Sequence, residues 1–253
     1  MEMQRSTGRN TTRFGCAVAL SVFLVSPAVA DDVTVFAAAS LRDAVSGLAE
    51  TYEAETGDNV TLVFAASSTL ARQVVQGAPA DVVLLADVDW ADWLVDEGGV
   101  EQVAAFARNS LVMVALDGHT IDDPNSIPDI LSDGYIAMAQ VDAVPAGRYG
   151  KAALASLGLW DTLESRIVQA NNVRAALRFV TSGEAAFGIG YASDLVAIPD
   201  LRKVYCFAEE THPSIVFSGG YVTDHGAQFF EYVRGDVGQG ILSEWGFTPV
   251  IDQ

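Results

Sequence analysis

From Val33 onward, short apolar runs alternate with stretches of helical period along nearly the whole chain. VTVF (33–36), NVTLVFA (59–65), DVVLLA (81–86), LVMVAL (111–116), YIAMAQ (135–140), AAFGIGY (185–191) and KVYCFA (203–208) have the length and composition of strands. Between them, Leu41, Ala44, Val45, Leu48, Ala49 and Tyr52 mark one face of a helix that stops near Gly57. Leu70, Ala71, Val74 and Val75 mark a second, ended by Gly77-Ala78-Pro79. Further helices are predicted around Trp90-Trp93-Leu94, from Pro145, in NVRAALRFVTSG (172–183), and in the closing runs HGAQFFEYVRG and QGILSEWG. A strand that feeds a helix returns to the sheet in its original direction, so this alternation predicts mixed, mostly parallel α/β sheets flanked by helices. DVVLLA lacks alternating polar positions, which predicts a strand covered on both faces. Only DGHTIDDPNSIPDILSDG (117–134) has no clear period, and an irregular connection is expected there.

The first thirty residues read as a removable export segment rather than part of the fold. Arg5, Arg9 and Arg13 precede an apolar run from Phe14 to Val25, and Ala28-Val29-Ala30 forms a cleavage site before Asp31-Asp32. The run is too short for the roughly 20 residues of a spanning helix, the competing reading. Cys16 has Arg13 rather than a leucine three residues earlier, which argues against lipid attachment. A soluble periplasmic protein is expected. The formal net charge is −19, and the export segment carries more arginine than acid, so the remainder is more acidic still. Such a surface repels nucleic acid and anionic membranes. An anionic ligand would have to be held by local dipoles against that field. Cys206 is the only cysteine beyond the export segment, so no intrachain disulfide can form there, and its strand-like surroundings predict a buried thiol.

Motifs for catalysis are missing. The chain has no G-x-S-x-G, P-loop, H-E-x-x-H or post-strand G-x-G-x-x-G, and His119, His212 and His225 are scattered without metal-ligand spacing. What recurs instead is a strand-to-helix junction made of small residues and serine: AAASLRDA (37–44) and FAASSTLARQ (64–73). In open α/β sheets ligands bind beyond the carboxyl ends of strands. Helix N-termini there present unpaired N–H groups and partial positive charge. Ser40, Ser67-Ser68, Ala146-Gly147 and Asn172-Val173 all occupy such junctions. Blander readings stand beside this one. Ser40 with Asp43 fits a capping box, Tyr191 fits a packing tyrosine, and Arg174 with Arg178 fits a solvated helix face.

Five segments taken together carry a family resemblance: VTVFAAASL, FAASSTLARQVVQGAPADVVLLAD, VPAGRYGKAAL, NNVRAAL and FGIGYASD. In order, and along nearly the whole exported chain, they resemble the periplasmic molybdate-binding proteins of bacterial ABC transporters, the ModA family. The resemblance implies a two-lobed periplasmic binding-protein fold of type II, with lobes at 31–110 plus 216–253 and at 111–215, closing on an oxyanion. It implies a non-enzymatic receptor that captures molybdate, and also tungstate, and delivers it to a membrane permease driven by an ATPase. The ligand would be met by Ser40 and Ser67 from the first lobe, and by Ala146, Val173 and Tyr191 from the second. Serine and tyrosine hydroxyls and backbone N–H groups would donate. Molybdenum would be bound only as molybdate, with no cofactor, no nucleic acid and a monomeric chain. Ser68 is the neighbour that could replace Ser67. Asn171-Asn172 and Gly190 depart from the usual pattern without removing a donor. Two rivals remain: a receptor for sulfate or another oxyanion, and a secreted serine hydrolase pairing Ser40 or Ser67 with a histidine.

Overall fold

The computed structural model describes residues 1–3, 32–117 and 120–250. The expected export segment, Cys16 and His119 therefore lie outside the described residues, apart from Met1–Met3. The chain runs β1 (Asp32–Ala38), α1 (Arg42–Thr56), β2 (Asn59–Ala65), α2 (Ser67–Val75), β3 (Val82–Leu85), α3 (Val88–Asp96), β4 (Ala104–Arg108) and β5 (Leu111–Ala115). It continues through α4 (Ile127–Leu131), β6 (Ile136–Ala139), α5 (Pro145–Ser156), α6 (Trp160–Leu163), β7 (Ile167–Ala170), α7 (Val173–Thr181) and β8 (Phe187–Tyr191). Last come α8 (Asp194–Ala197), β9 (Arg202–Cys206), β10 (Val216–Tyr221), α9 (Asp224–Arg234), α10 (Asp236–Glu244) and β11 (Thr248–Pro249).

Two sheets result, ordered β11-β4-β10-β3-β1-β2 and β7-β6-β8-β5-β9. Parallel pairing joins β1 to β2 and β3, and β6 to β7 and β8. The remaining pairings, which involve β4, β5, β9, β10 and β11, are antiparallel. The antiparallel share is larger than β/α alternation alone implies. The reason is that β4–β5 and β9–β10 are joined without helices of their own length and carry the chain from one sheet to the other. At the two crossings the backbones lie side by side, Asn109 N–H donating to Ile215 O (3.2 Å) and Phe207 N–H to Leu111 O (3.1 Å).

The continuous apolar strand behaves as its sequence requires. Val82 and Leu84 of β3 point into the large core shared with α1 and α9, whereas Val83 and Leu85 point into a second cluster with Leu70, Val74 and Leu94 from α2 and α3. Each such side chain contributes about 1.5–3 kcal/mol by leaving water. In α7, Val173, Ala176, Leu177 and Val180 are buried, the spacing of one helix face. Two expectations fail. The stretch 117–134 is not wholly irregular: a 3-10 turn at Pro124–Ser126 and α4 lie within it, too short to leave a period in the sequence. Cys206 is exposed rather than buried, because β9 is an edge strand paired only to β5, and of its five residues only Val204 is buried.

Candidate functional site

The parallel strands end at one cavity. Its volume is about 10 Å³, and it is lined by Ser40 and Ser67 from the first sheet's side, and by Ala146, Val173 and Tyr191 from the second's. All five residues singled out in the sequence thus meet in one place. Ala38, Ala39, Ala66, Ala86, Val144, Pro145 and Asn172 complete the wall. That volume holds about one water-sized sphere and is far below the roughly 300–1,000 Å³ typical of clefts for organic ligands. Ser68 is buried but is not part of the wall, since the helix turns it away from the cavity that its neighbour faces.

Local structure explains why these residues arrive together. Helices α2, α5 and α7 each begin at the wall, with Ser67, Pro145-Ala146 and Val173 in their first turns. The first N–H groups of a helix have no partner within it, so those of Ser67, Ala146 and Val173 are free to bind a ligand. Asn172 caps α7 through its own Oδ1, which accepts from Ala175 N–H (2.9 Å), so asparagine there preserves the helix start. Proline at the start of α5 loses no hydrogen bond. Gly147 follows because an added Cβ would lie 2.3 Å from Ala139 O, and only glycine lets α5 approach the end of β6 so closely.

The two serines have different surroundings. Ser67 Oγ accepts the N–H of Ala86 (2.9 Å) from the end of β3, which orients its hydroxyl and leaves the proton to donate. Ser40 sits in a 3-10 turn at Ala39–Leu41 and caps nothing: its Oγ is buried and has no hydrogen-bond partner. Tyr191 Oη, on a side chain only 1 % exposed, is equally unpartnered. Burial pushes the Tyr191 hydroxyl well above its ordinary pKa, so it remains protonated and a donor. Buried hydroxyls without partners are rare in folded proteins. Two of them on one small wall require a reason. No lysine, arginine or carboxylate lines the cavity.

Sequence reasoning missed the support behind the wall. Arg174, expected on a solvated face, is only 14 % exposed; its Nε lies 2.7 Å from Asp194 Oδ1 and its Nη1 2.9 Å from Asp43 Oδ2. Its Nη2 also donates to Ser40 O (3.4 Å). The other oxygen of Asp194 accepts the N–H of Tyr191 (2.9 Å). Burial raises the Asp194 pKa, opposed by Arg174 and that N–H. A Cβ at Gly190 would lie 3.0 Å from the same carboxylate, so glycine there keeps Asp194 within reach of Tyr191. One arginine therefore ties together the segments that present Ser40, Val173 and Tyr191. No motif flags it, because its partners are distant in sequence.

Among the described residues, no histidine is hydrogen-bonded to Ser40 or Ser67; His212 Nδ1 lies 2.8 Å from Pro213 O.

The pattern of the bacterial extracellular solute-binding protein family matches residues 33–248. The chain is similar to the molybdate-binding protein ModA of Escherichia coli K12, with 38% identity over 243 residues that cover 91% of this chain and 95% of that one. In fold it resembles the periplasmic molybdate-binding protein of Azotobacter vinelandii, with a TM-score of 0.77 at 22% identity, covering 87% of this chain and 100% of the other. It also resembles the sulfate-binding protein SubI of Mycobacterium tuberculosis, with a TM-score of 0.74 at 18% identity over 87% of each chain.

Proposed function

Because the chain belongs to the bacterial extracellular solute-binding protein family, and within it to the ModA molybdate-binding proteins, we propose that it is a periplasmic receptor for molybdate and tungstate. It binds the oxyanion with Ser40, Ser67, Ala146, Val173 and Tyr191 and hands it to the permease of an ABC transporter. The export segment at 1–30 delivers the chain to the periplasm, where it acts as a monomer. Residues 31–110 with 216–253 form one lobe and 111–215 the other, hinged at the paired crossings near Asn109 and Phe207.

One observation carries this reading: Ser40 Oγ and Tyr191 Oη are buried, unpartnered hydroxyls on a cavity too small for most organic ligands. A small anion accepts from both. Together with the hydroxyl of Ser67 and the N–H groups of Ser40, Ser67, Ala146 and Val173, it would meet about seven donors. Hydrogen bonds to a charged group contribute roughly 1.5–3 kcal/mol each. After the cost of ordering and closure, that sum is compatible with nanomolar to micromolar affinity without a cation in the wall.

The donor chemistry also orders the ligands. Molybdate, tungstate and sulfate carry no proton at neutral pH, so every oxygen accepts. Phosphate keeps a proton that needs an acceptor, and the wall has no carboxylate to supply one. Leaving that group unpaired costs about 1–3 kcal/mol. Sulfate passes this test but has shorter bonds, which leave donors out of reach in a preorganised cavity. Calorimetric competition among the four anions at fixed pH and salt should rank molybdate and tungstate first, sulfate well below and phosphate last. Sulfate equal to molybdate would make the chain a general oxyanion receptor, and no binding by any of them would overturn the reading.

A further inference from the structure

We propose that Arg148 is a positioning residue that clasps Asp87 and Asp89 across the cleft and sets how long the anion is retained. This rests on the reading above, that an oxyanion is held between two closing lobes. Arg148 lies on α5, two positions after Ala146, and α5 packs on the second sheet. Asp87 and Asp89 belong to the start of α3, which packs against the first sheet. Nη1 of Arg148 lies 3.1 Å from Asp87 Oδ2, and Nη2 pairs with Asp89 Oδ2. A single guanidinium thus uses both prongs of its fork on two carboxylates from the opposite side. The ends of the clasp adjoin the site: Asp87 follows Ala86, whose N–H holds the hydroxyl of Ser67.

Asp87 cannot move out to meet a partner. Its side chain is 2 % exposed and its Oδ1 caps α3 through Trp90 N–H (3.3 Å). Arg148, at 38 % exposure, is the more accessible half; because the two partners sit on opposite sides of the cleft, closure of the lobes brings them together. A second bond crosses beside it, the Trp90 indole N–H donating to Ala143 O (2.8 Å). The clasp matters because of what its loss would leave behind. Without Arg148 the buried Asp87 beside a bound dianion must either carry an uncompensated charge or take up a proton, and each costs stability of the closed state. Truncating one member of a buried charge pair acts mainly on the rate of release, because the other member keeps its desolvation cost. The groups that face Asp87 are Arg148 and Tyr149 from α5, Asp89 and Asp92 from α3, and Tyr191 from β8. Burial raises the Asp87 pKa to about 7, with Arg148 opposing, so its charge changes within an accessible pH range. Both tyrosines stay neutral there, since burial pushes their pKa values upward.

Trp90, one of the chain's four tryptophans, bonds across the cleft to Ala143 O, so intrinsic fluorescence is a suitable readout. Stopped-flow tryptophan fluorescence of the exported chain with sodium molybdate gives association and dissociation rates for wild type, Arg148→Met, Arg148→Lys and the double variant Asp87→Asn/Arg148→Met. Methionine keeps the apolar stem, and asparagine keeps the cap on α3. Arg148→Met should release molybdate about ten- to hundredfold faster with association changed less than about threefold. The defect should be larger at pH 8.5 than at pH 6, where Asp87 is protonated. Lysine should rescue only part, being a point charge without the fork. The double variant should release more slowly than Arg148→Met alone. If wild type binds and Arg148→Met releases at the wild-type rate, or if Asp87→Asn brings no relief, the clasp is wrong and the receptor stands. If wild type binds no oxyanion in calorimetry, the receptor reading fails and the clasp falls with it.

Discussion

Ser40→Ala and Ser67→Ala are superficially the same change, yet the structure predicts different consequences for the free protein. Ser40 Oγ has no partner, so its removal orphans nothing. Free Ser40→Ala should melt at or slightly above the wild-type temperature. Ser67 Oγ accepts the N–H of Ala86, and its removal strands a buried backbone donor. That costs about 1–3 kcal/mol. At about 2–4 °C per kcal/mol for a chain of this size, free Ser67→Ala should melt several degrees lower. Both variants lose a donor to a charged ligand, worth about 1.5–3 kcal/mol, or roughly 10- to 150-fold in Kd. Scanning calorimetry of the free proteins and titration calorimetry with molybdate measure the two effects separately. Ser40→Ala should be weak in binding and sound in stability, and Ser67→Ala weak in both. If Ser40→Ala binds within twofold of wild type, or destabilises the free protein as much as Ser67→Ala, then its hydroxyl serves the fold and the argument from orphaned groups is wrong.

Tyr191→Phe keeps the ring that packs edge-on against Phe217 (centroids 5.6 Å apart) and deletes only the unpartnered Oη. It should weaken molybdate about tenfold or more without lowering the free protein's melting temperature; an unchanged titration would return Tyr191 to a packing role. Asp87 gives a pH signature. Its pKa is raised by burial from 3.8 to about 7, against the pairing with Arg148 and the Trp90 N–H. The folded state therefore holds a proton that the unfolded state has released, and this group's stabilising contribution, full below about pH 4, is lost as pH rises through 7. Asp87→Asn removes that loss while keeping the cap, so its melting temperature should gain on wild type between pH 4 and 7. Parallel melting curves would mean that the carboxylate is not desolvated as described.

Much of the architecture was legible because it is written in local periodicity. The change from strand period to helical period places a junction after VTVFAA and another after NVTLVFA, and small residues at each junction mark where backbone could be approached. The unbroken VVLL needed two covering layers, and it has them. Helix caps were ambiguous, since Ser40 with Asp43 satisfies a capping pattern on paper, whereas the 3-10 turn leaves the hydroxyl with nothing to cap.

Other properties belong to contacts between segments that no window of sequence contains. Ser67 lines the cavity and Ser68 does not, because helix phase is set by how α2 packs under its sheet. Cys206 is exposed because β9 is at an edge, a fact about sheet order rather than composition. Arg174 reads as an ordinary surface arginine and Arg148 carries no signal of its own within VPAGRYGKAAL, yet one touches Ser40, 134 positions away, and the other touches Asp87, 61 positions away. Residue type and spacing determined which groups could donate to an anion, since hydroxyls and helix N-termini carry that capacity wherever they occur. Only the packing of the two sheets decided which of those donors would be left without partners, because satisfaction of a hydrogen bond depends on what the rest of the chain brings within reach.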